Sequence, residues 1–302
     1  MTRVATIPLQ TTLSGAIMRA QQDLATSQMQ LNTKKKATDY AGLGLDAVRT
    51  LSARSMLVTQ ETYQTNISRV STTLSLYQAN LEQIDSSLGD LREELFNAIG
   101  TGNSPGLQGM IEDAFKGLRA SLNATEAGKY LFAGSQNATA PFLPEKLEDI
   151  AGIDPEEAFA NDDVRQSTRA GEGVDVQYGI GASDVAKKLI TAFQALADAG
   201  PIGDTLTADQ KQALTDAIEL FDAGVADVRT VNAQNGRRQA QVETLETRAE
   251  DRVKLLTEVI GSVEDADMGQ VALDITQRQT ILQASYSVFA QLNSMSLANF
   301  LK

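Results

Sequence analysis

Glu93 beside Glu94, and Glu264 followed by Asp265 and Asp267, set carboxylates at helical spacing. Groups so placed can hold a divalent cation or divide acid and base roles between them. Nothing in the flanking sequence encloses either set, and charged helix faces have this composition, so the preferred reading is solvated surface. The chain has no Cys and no His. That removes Cys-based zinc sites, Cys–His and Ser–His–Asp nucleophile systems and the His-paired metalloprotease motif. EF-hand, P-loop and nucleophile-elbow patterns are absent too, and the glycines of 171–181 lack the strand–glycine–helix context of a dinucleotide site. No catalytic residue, cofactor or metal is expected.

The formal net charge is −13, the wrong sign for nucleic acid or an anionic membrane. The one dense basic run, Lys34-Lys35-Lys36, reads as a solvated helix face or loop, with contact to an acidic neighbour as the alternative. No segment has the ~18 to 20 continuous apolar residues of a membrane span. The opening "MTRVATIPLQTTLSGAIMRAQQ" lacks the pattern of a cleavable secretory signal, so export would use another route. Three triplets, at Asn66, Asn123 and Asn137, match the N-glycosylation acceptor by chance frequency alone.

Periodicity sets the fold class. Tyr63, Ile67, Val70, Leu74, Tyr77, Leu81, Ile84, Leu88, Leu91 and Leu95 alternate four and three apart, a heptad seam that predicts a helix of about 50 Å at ~1.5 Å per residue. With no breaker seen in "LDAVRTLSARSML", the helix is expected to reach back toward Leu43, and to stop at "GTGNSPG", residues 100–106. Leu107, Ile111, Leu118 and Leu122 begin an antiparallel partner. Further on, "SDVAKKLITAFQALADAG" reads as helix, and Thr207 as the N-cap of another long one with Gln210 in its first turn. Val242, Leu245, Ala249, Arg252, Leu256, Val259 and Val263 form its seam, with residues 63–95 as natural partner. Aromatics are only 5% of the chain, which argues for thin helical packing over a core rich in rings.

Both ends carry amphipathic stripes. Leu13, Ile17, Ala20, Leu24 and Leu31 share one near the start. Near the end, Ile275, Leu282 and Phe289 form one stripe, Ile281, Val288 and Met295 a second beside it, with Leu292 on the same face. One terminal partner helix cannot cover both, so either the face meets other subunits or it stays frayed in the single chain. Between 130 and 180 the pattern breaks into short runs, "VDVQYG" alternating as a strand does. That segment holds ten Asp or Glu against three Lys or Arg. It reads as a small acidic β-rich insert facing outward, bounded by Tyr130, Leu131, Phe132, Gly134, Pro141 and Phe142, with "YLFAG" as its first strand. The expected fold is mainly α, an elongated nested helical bundle. Residues 1–40 with 265–302 form the terminal domain, 41–129 with 181–264 the bundle core, and 130–180 the insert.

The nested order resembles the bacterial flagellin superfamily. "KKKATDYAGLGLDAVRTLSAR" (34–54) resembles that family's lead into its first core helix, and "VNAQNGRRQAQVETLE" (231–246) its returning core helix. "DITQRQTILQASYSVFAQLNSMSLANFL" (274–301) is similar to its closing helix. Within the superfamily, "YLFAGSQNATAPF" (130–142) resembles the hook–filament junction branch more than filament flagellins. The resemblance implies a non-enzymatic structural adaptor outside the cell, exported by the flagellar type III apparatus. It also implies copies of itself in a ring, an adjacent hook-associated protein and flagellin as neighbours, and a cytoplasmic export chaperone on the C-terminal helix. Neither nucleic acid nor membrane insertion is implied. A minor flagellin is the alternative, an intracellular coiled-coil scaffold a lower one. A hydrolase would need a carboxylate dyad among residues 145–175.

Overall fold

In a computed structural model the backbone is described for residues 3–298 and side chains for 11–291. The fold is mainly α, with six α-helices and two small antiparallel sheets among the described residues. Contacts divide the chain into two units, Met1–Thr59 with Arg252–Lys302, and Gln60–Asp251. The predicted partition at 40/41, 129/130, 180/181 and 264/265 follows changes of periodicity rather than contacts.

In the central unit, α2 (Ala47–Thr101) contributes its C-terminal part. Its seam from Ile67 to Leu95 is buried throughout, and Tyr63 is half-buried. Helix α3 (Leu107–Leu122) folds back after the predicted turn and buries Leu107, Ile111, Leu118 and Leu122 in the same core. Helix α5 (Ala208–Glu264) starts where sequence placed it. Thr207 Oγ1 accepts from the Gln210 N–H at 3.2 Å while Gln210 Oε1 accepts from the Thr207 N–H at 3.2 Å, so two end donors are satisfied reciprocally. It runs antiparallel to α2, with Arg92 on Asp222, Arg229 on Asp85 and Ser68 on Glu246. Val242 and Ala249 join the core as expected; Arg252 is exposed.

Two features of this core differ from expectation. Four of the scarce rings gather in one place: Phe193 meets Phe115 and Phe221 edge-on at centroid distances of 5.4 and 4.9 Å, and Phe115 meets Phe142 at 5.8 Å. Composition counts rings but does not say that they cluster. Nor is "YLFAG" a strand. The ladder there is only β1 (Thr125–Glu126) with β2 (Lys129–Tyr130), and Leu131, Phe132 and Ala133 are buried in turns. The Tyr77 hydroxyl donates to the Leu131 carbonyl at 2.6 Å, satisfying a backbone acceptor that no ladder reaches. Burial pushes that phenol up to about 12, so it remains a donor at neutral pH.

Residues 130–180 share this core instead of building another. Phe132, Phe142, Ile150 and Val176 belong to it together with Leu81 and Phe193. The segment holds one hairpin, β3 (Gln166–Gly171) with β4 (Val174–Tyr178), and otherwise turns and short 3-10 helices at Leu147–Ile150 and Pro155–Ala158. The Gln194 amide on α4 (Ala182–Asp198) donates to the carbonyls of Ile150 and Ile153 at 2.9 and 2.8 Å, tying those turns down. Gly134 sits at φ 64°, and a Cβ there would lie 2.6 Å from the Asp162 carbonyl oxygen, so only glycine fits the approach. Pro141 is buried beside Phe142 at the far end of the same stretch.

In the terminal unit, α1 (Arg3–Thr33) and α6 (Met268–Ala298) run side by side and antiparallel. Between α1 and α2 lies a 3-10 segment, Ala41–Asp46. The predicted extension of α2 back to Leu43 fails at Gly44, whose φ 59° and ψ −124° are outside helical space. A glycine in a helical pattern is tolerated in isolation, and this one is used as a break.

Candidate assembly surfaces

The α1–α6 pair is held by few apolar contacts and several polar ones. Ile17 and Leu282 are buried between the helices, and Leu13, Ala20, Leu24, Ile275 and Phe289 are half-buried. The Gln21 side-chain amide donates to the Tyr286 hydroxyl at 2.6 Å. Arg278 reaches across to the buried Ser27 hydroxyl at 2.7 Å and to the Asp23 carbonyl. These contacts fix a register that small apolar side chains alone would leave loose.

Of the two C-terminal stripes, the one through Ile275, Leu282 and Phe289 turns toward its partner helix. Ile281 (47% exposed) and Val288 (46%) lie on the open side, with Leu273 and Tyr286 also exposed. Leu31 is exposed on α1. The side chains of Leu292 and Met295 lie outside the described residues. Leu45 and Val48 are exposed near the start of α2.

The charged residues read as solvated surface behave otherwise at one place. Glu264, at the end of α5, is a buried side chain (8% exposed) gripped by two cations. Arg54 Nε and Nη2 donate to its two oxygens at 2.8 and 2.7 Å, and Lys35 Nζ lies 3.3 Å away. Lys35 also bonds Asp265 at 2.6 Å, and Lys36 Nζ donates to the Ser262 carbonyl at 2.8 Å. The basic run therefore meets an acidic neighbour, and the solvated-loop reading is corrected. Bonding to Arg54, with Lys35 adding to it, holds the Glu264 carboxyl below its ordinary range against the opposing effect of burial. Asp265 holds the Lys35 ammonium above its own. Sequence could show Glu264 but not Arg54 beside it, because the two are 210 positions apart. Glu93 and Glu94 remain exposed.

Two of the three asparagines of the glycosylation-like triplets make structural hydrogen bonds. Asn66 donates to the Arg169 carbonyl, and Asn123 brackets the Phe142 backbone through both its amide atoms. Among the described residues no helix is long and apolar enough to cross a membrane, and no three Asp or Glu side chains converge as a metal site.

With this geometry established, similarity to known proteins is specific. Residues 218–301 match the family described as the bacterial flagellin C-terminal helical region. Flagellar hook-associated protein 3 of Escherichia coli (strain K12) is 25% identical over 244 residues, covering 74% of this chain and 76% of that protein. The protein of the same name from Salmonella typhimurium is 25% identical over 245 residues, covering 74% and 76%. Among solved structures, Bacillus cereus FlgL superposes with a TM-score of 0.57 at 17% identity, covering 70% of this chain and 99% of that one. Hook-associated protein 3 from Legionella pneumophila gives 0.57 at 12% identity, covering 70% and 98%. The structural likenesses carry the fold.

Proposed function

From a chain that carries the bacterial flagellin C-terminal helical region, and whose relatives are named flagellar hook-associated protein 3, we propose a structural adaptor of the bacterial flagellum that joins hook to filament. The observation that carries the reading is the open stripe of Ile281 and Val288, left uncovered by α1 in the single chain. Apolar helix faces of this kind are covered by partner helices. In the proposed assembly, residues 1–40 and 265–302 line an inner wall of copies arranged in a ring. The long bundle forms an outer layer, and the acidic segment 130–180 faces outward. An adjoining hook-associated protein lies on one side and flagellin on the other. Before export by the type III route, a chaperone shields the C-terminal helix. The role needs binding surfaces and no catalytic group.

Cells lacking the protein are expected to bear bare hooks and to release unassembled flagellin; normal filaments in that strain overturn the reading. Purified protein added to filament seeds is expected not to elongate them, whereas indefinite growth would make it a filament subunit.

A further inference from the structure

The two interruptions between helices in the terminal unit, residues 34–46 and 265–267, meet each other. Lys35 and Asp265 form an isolated antiparallel bridge. The Lys36 N–H donates to the Glu264 carbonyl at 2.7 Å, and the Ala266 N–H donates to the Lys34 carbonyl at 3.0 Å. Lys34 itself sits at φ 58°, a left-handed conformation that costs a lysine about 1 kcal/mol or more and persists only where surroundings hold it.

The side chains close over this backbone bridge. Glu264 is the least exposed member, and it is bonded to a residue of the first break and to a residue of α2 at once. A carboxylate buried between two cations with both oxygens satisfied is stable, and removing its charge takes the shared anion from both partners at once. The groups facing it are Arg54 on α2 and Lys35 on the turn. Asp265 lies beside Lys35, and Tyr40 interacts with Arg54.

We propose that Glu264 is the keystone of a latch that makes the two helix breaks one joint, so that they order and release together. Local opening of either break removes the shared carboxylate and so frees the other. The latch is a property of the single chain and does not depend on the flagellar reading.

Amide hydrogen exchange on the full chain tests it, since the Lys36 and Ala266 amides report the two sides separately. Glu264→Gln keeps size but not charge, and turns one of the two oxygens that accept from Arg54 into a donor. It is expected to speed exchange about tenfold in peptides spanning 34–46 as well as 262–268, while 60–251 stays unchanged. Faster exchange confined to 262–268, or none at all, overturns the latch. Should that variant fail to fold, Lys35→Gln removes only the outer cation and is expected to give the same paired effect, smaller in size; an effect on 34–46 alone overturns it. Asp222→Asn, which breaks the exposed Arg92 pair, serves as the reference for an ion pair that couples nothing beyond its own neighbourhood.

Discussion

The central and terminal units solve the same problem, holding long antiparallel helices together, by different means. In the central unit an unbroken apolar seam meets α3, α4, α5 and the turns of 130–180, and aromatic rings fill the widest part. In the terminal unit two helices share a narrow apolar line, and cross-links such as Arg278 to Ser27 and Arg54 to Glu264 supply the register. Burial of apolar area is non-directional and gives stability; paired polar contacts are directional and give position. The difference gives the central unit its stability and the terminal unit its register.

Substitutions can break that contrast. The largest effect is expected from Phe193→Ala, which empties the middle of the ring cluster and costs about 3–5 kcal/mol, read as a lower urea midpoint for the full chain. An unchanged midpoint would mean that the ring cluster is dispensable. Tyr77→Phe keeps the ring against Phe132 and leaves the Leu131 carbonyl without its donor, for a loss of about 1–2 kcal/mol in the same measurement.

Acid acts on the other unit. The folded-state pKa of Glu264 lies below its ordinary 4.5. Its stabilisation is therefore complete above that value and fades as the pH falls through the lower folded one. Measured against the intrinsic exchange rate at each pH, protection at residues 34–46 and 262–268 should fall in acid before that of residues 67–95 does; a simultaneous fall would erase the distinction between the units. The smallest stability effect belongs to Ile281→Ser with Val288→Ser. Exposed in the single chain, these changes should alter the stability read from urea unfolding by no more than about 0.5 kcal/mol, yet abolish filament attachment in cells. A large drop in stability with normal motility would place the stripe in the fold instead of the assembly.

Much of the fold was legible because it is periodic. The seam from Ile67 to Leu95, the turn at 100–106 and the Thr207 cap each rest on residues within one or two turns of each other, where spacing reports environment directly. Gly44 shows the limit. It stands in a stretch that reads as helix, and its φ of 59° breaks the helix at a place where spacing gives no sign of it. "YLFAG" marks a second limit: short apolar runs read alike as strand or buried turn, and the Tyr77 hydroxyl decided between them.

The assembly surface was half legible. Two stripes on α6 follow from residue spacing, but which one α1 would cover depended on the Arg278 and Gln21 contacts between helices. Lys34-Lys35-Lys36 and Glu264-Asp265 were visible as charges, and a run of charge looks the same whether water or an opposite charge lies beside it. Local order is encoded in intervals of three and four residues, so helix positions, caps and apolar faces could be derived without coordinates. The latch, the ring cluster and the orientation of the two stripes join residues tens to hundreds of positions apart, and such encounters come into being only when the chain has folded.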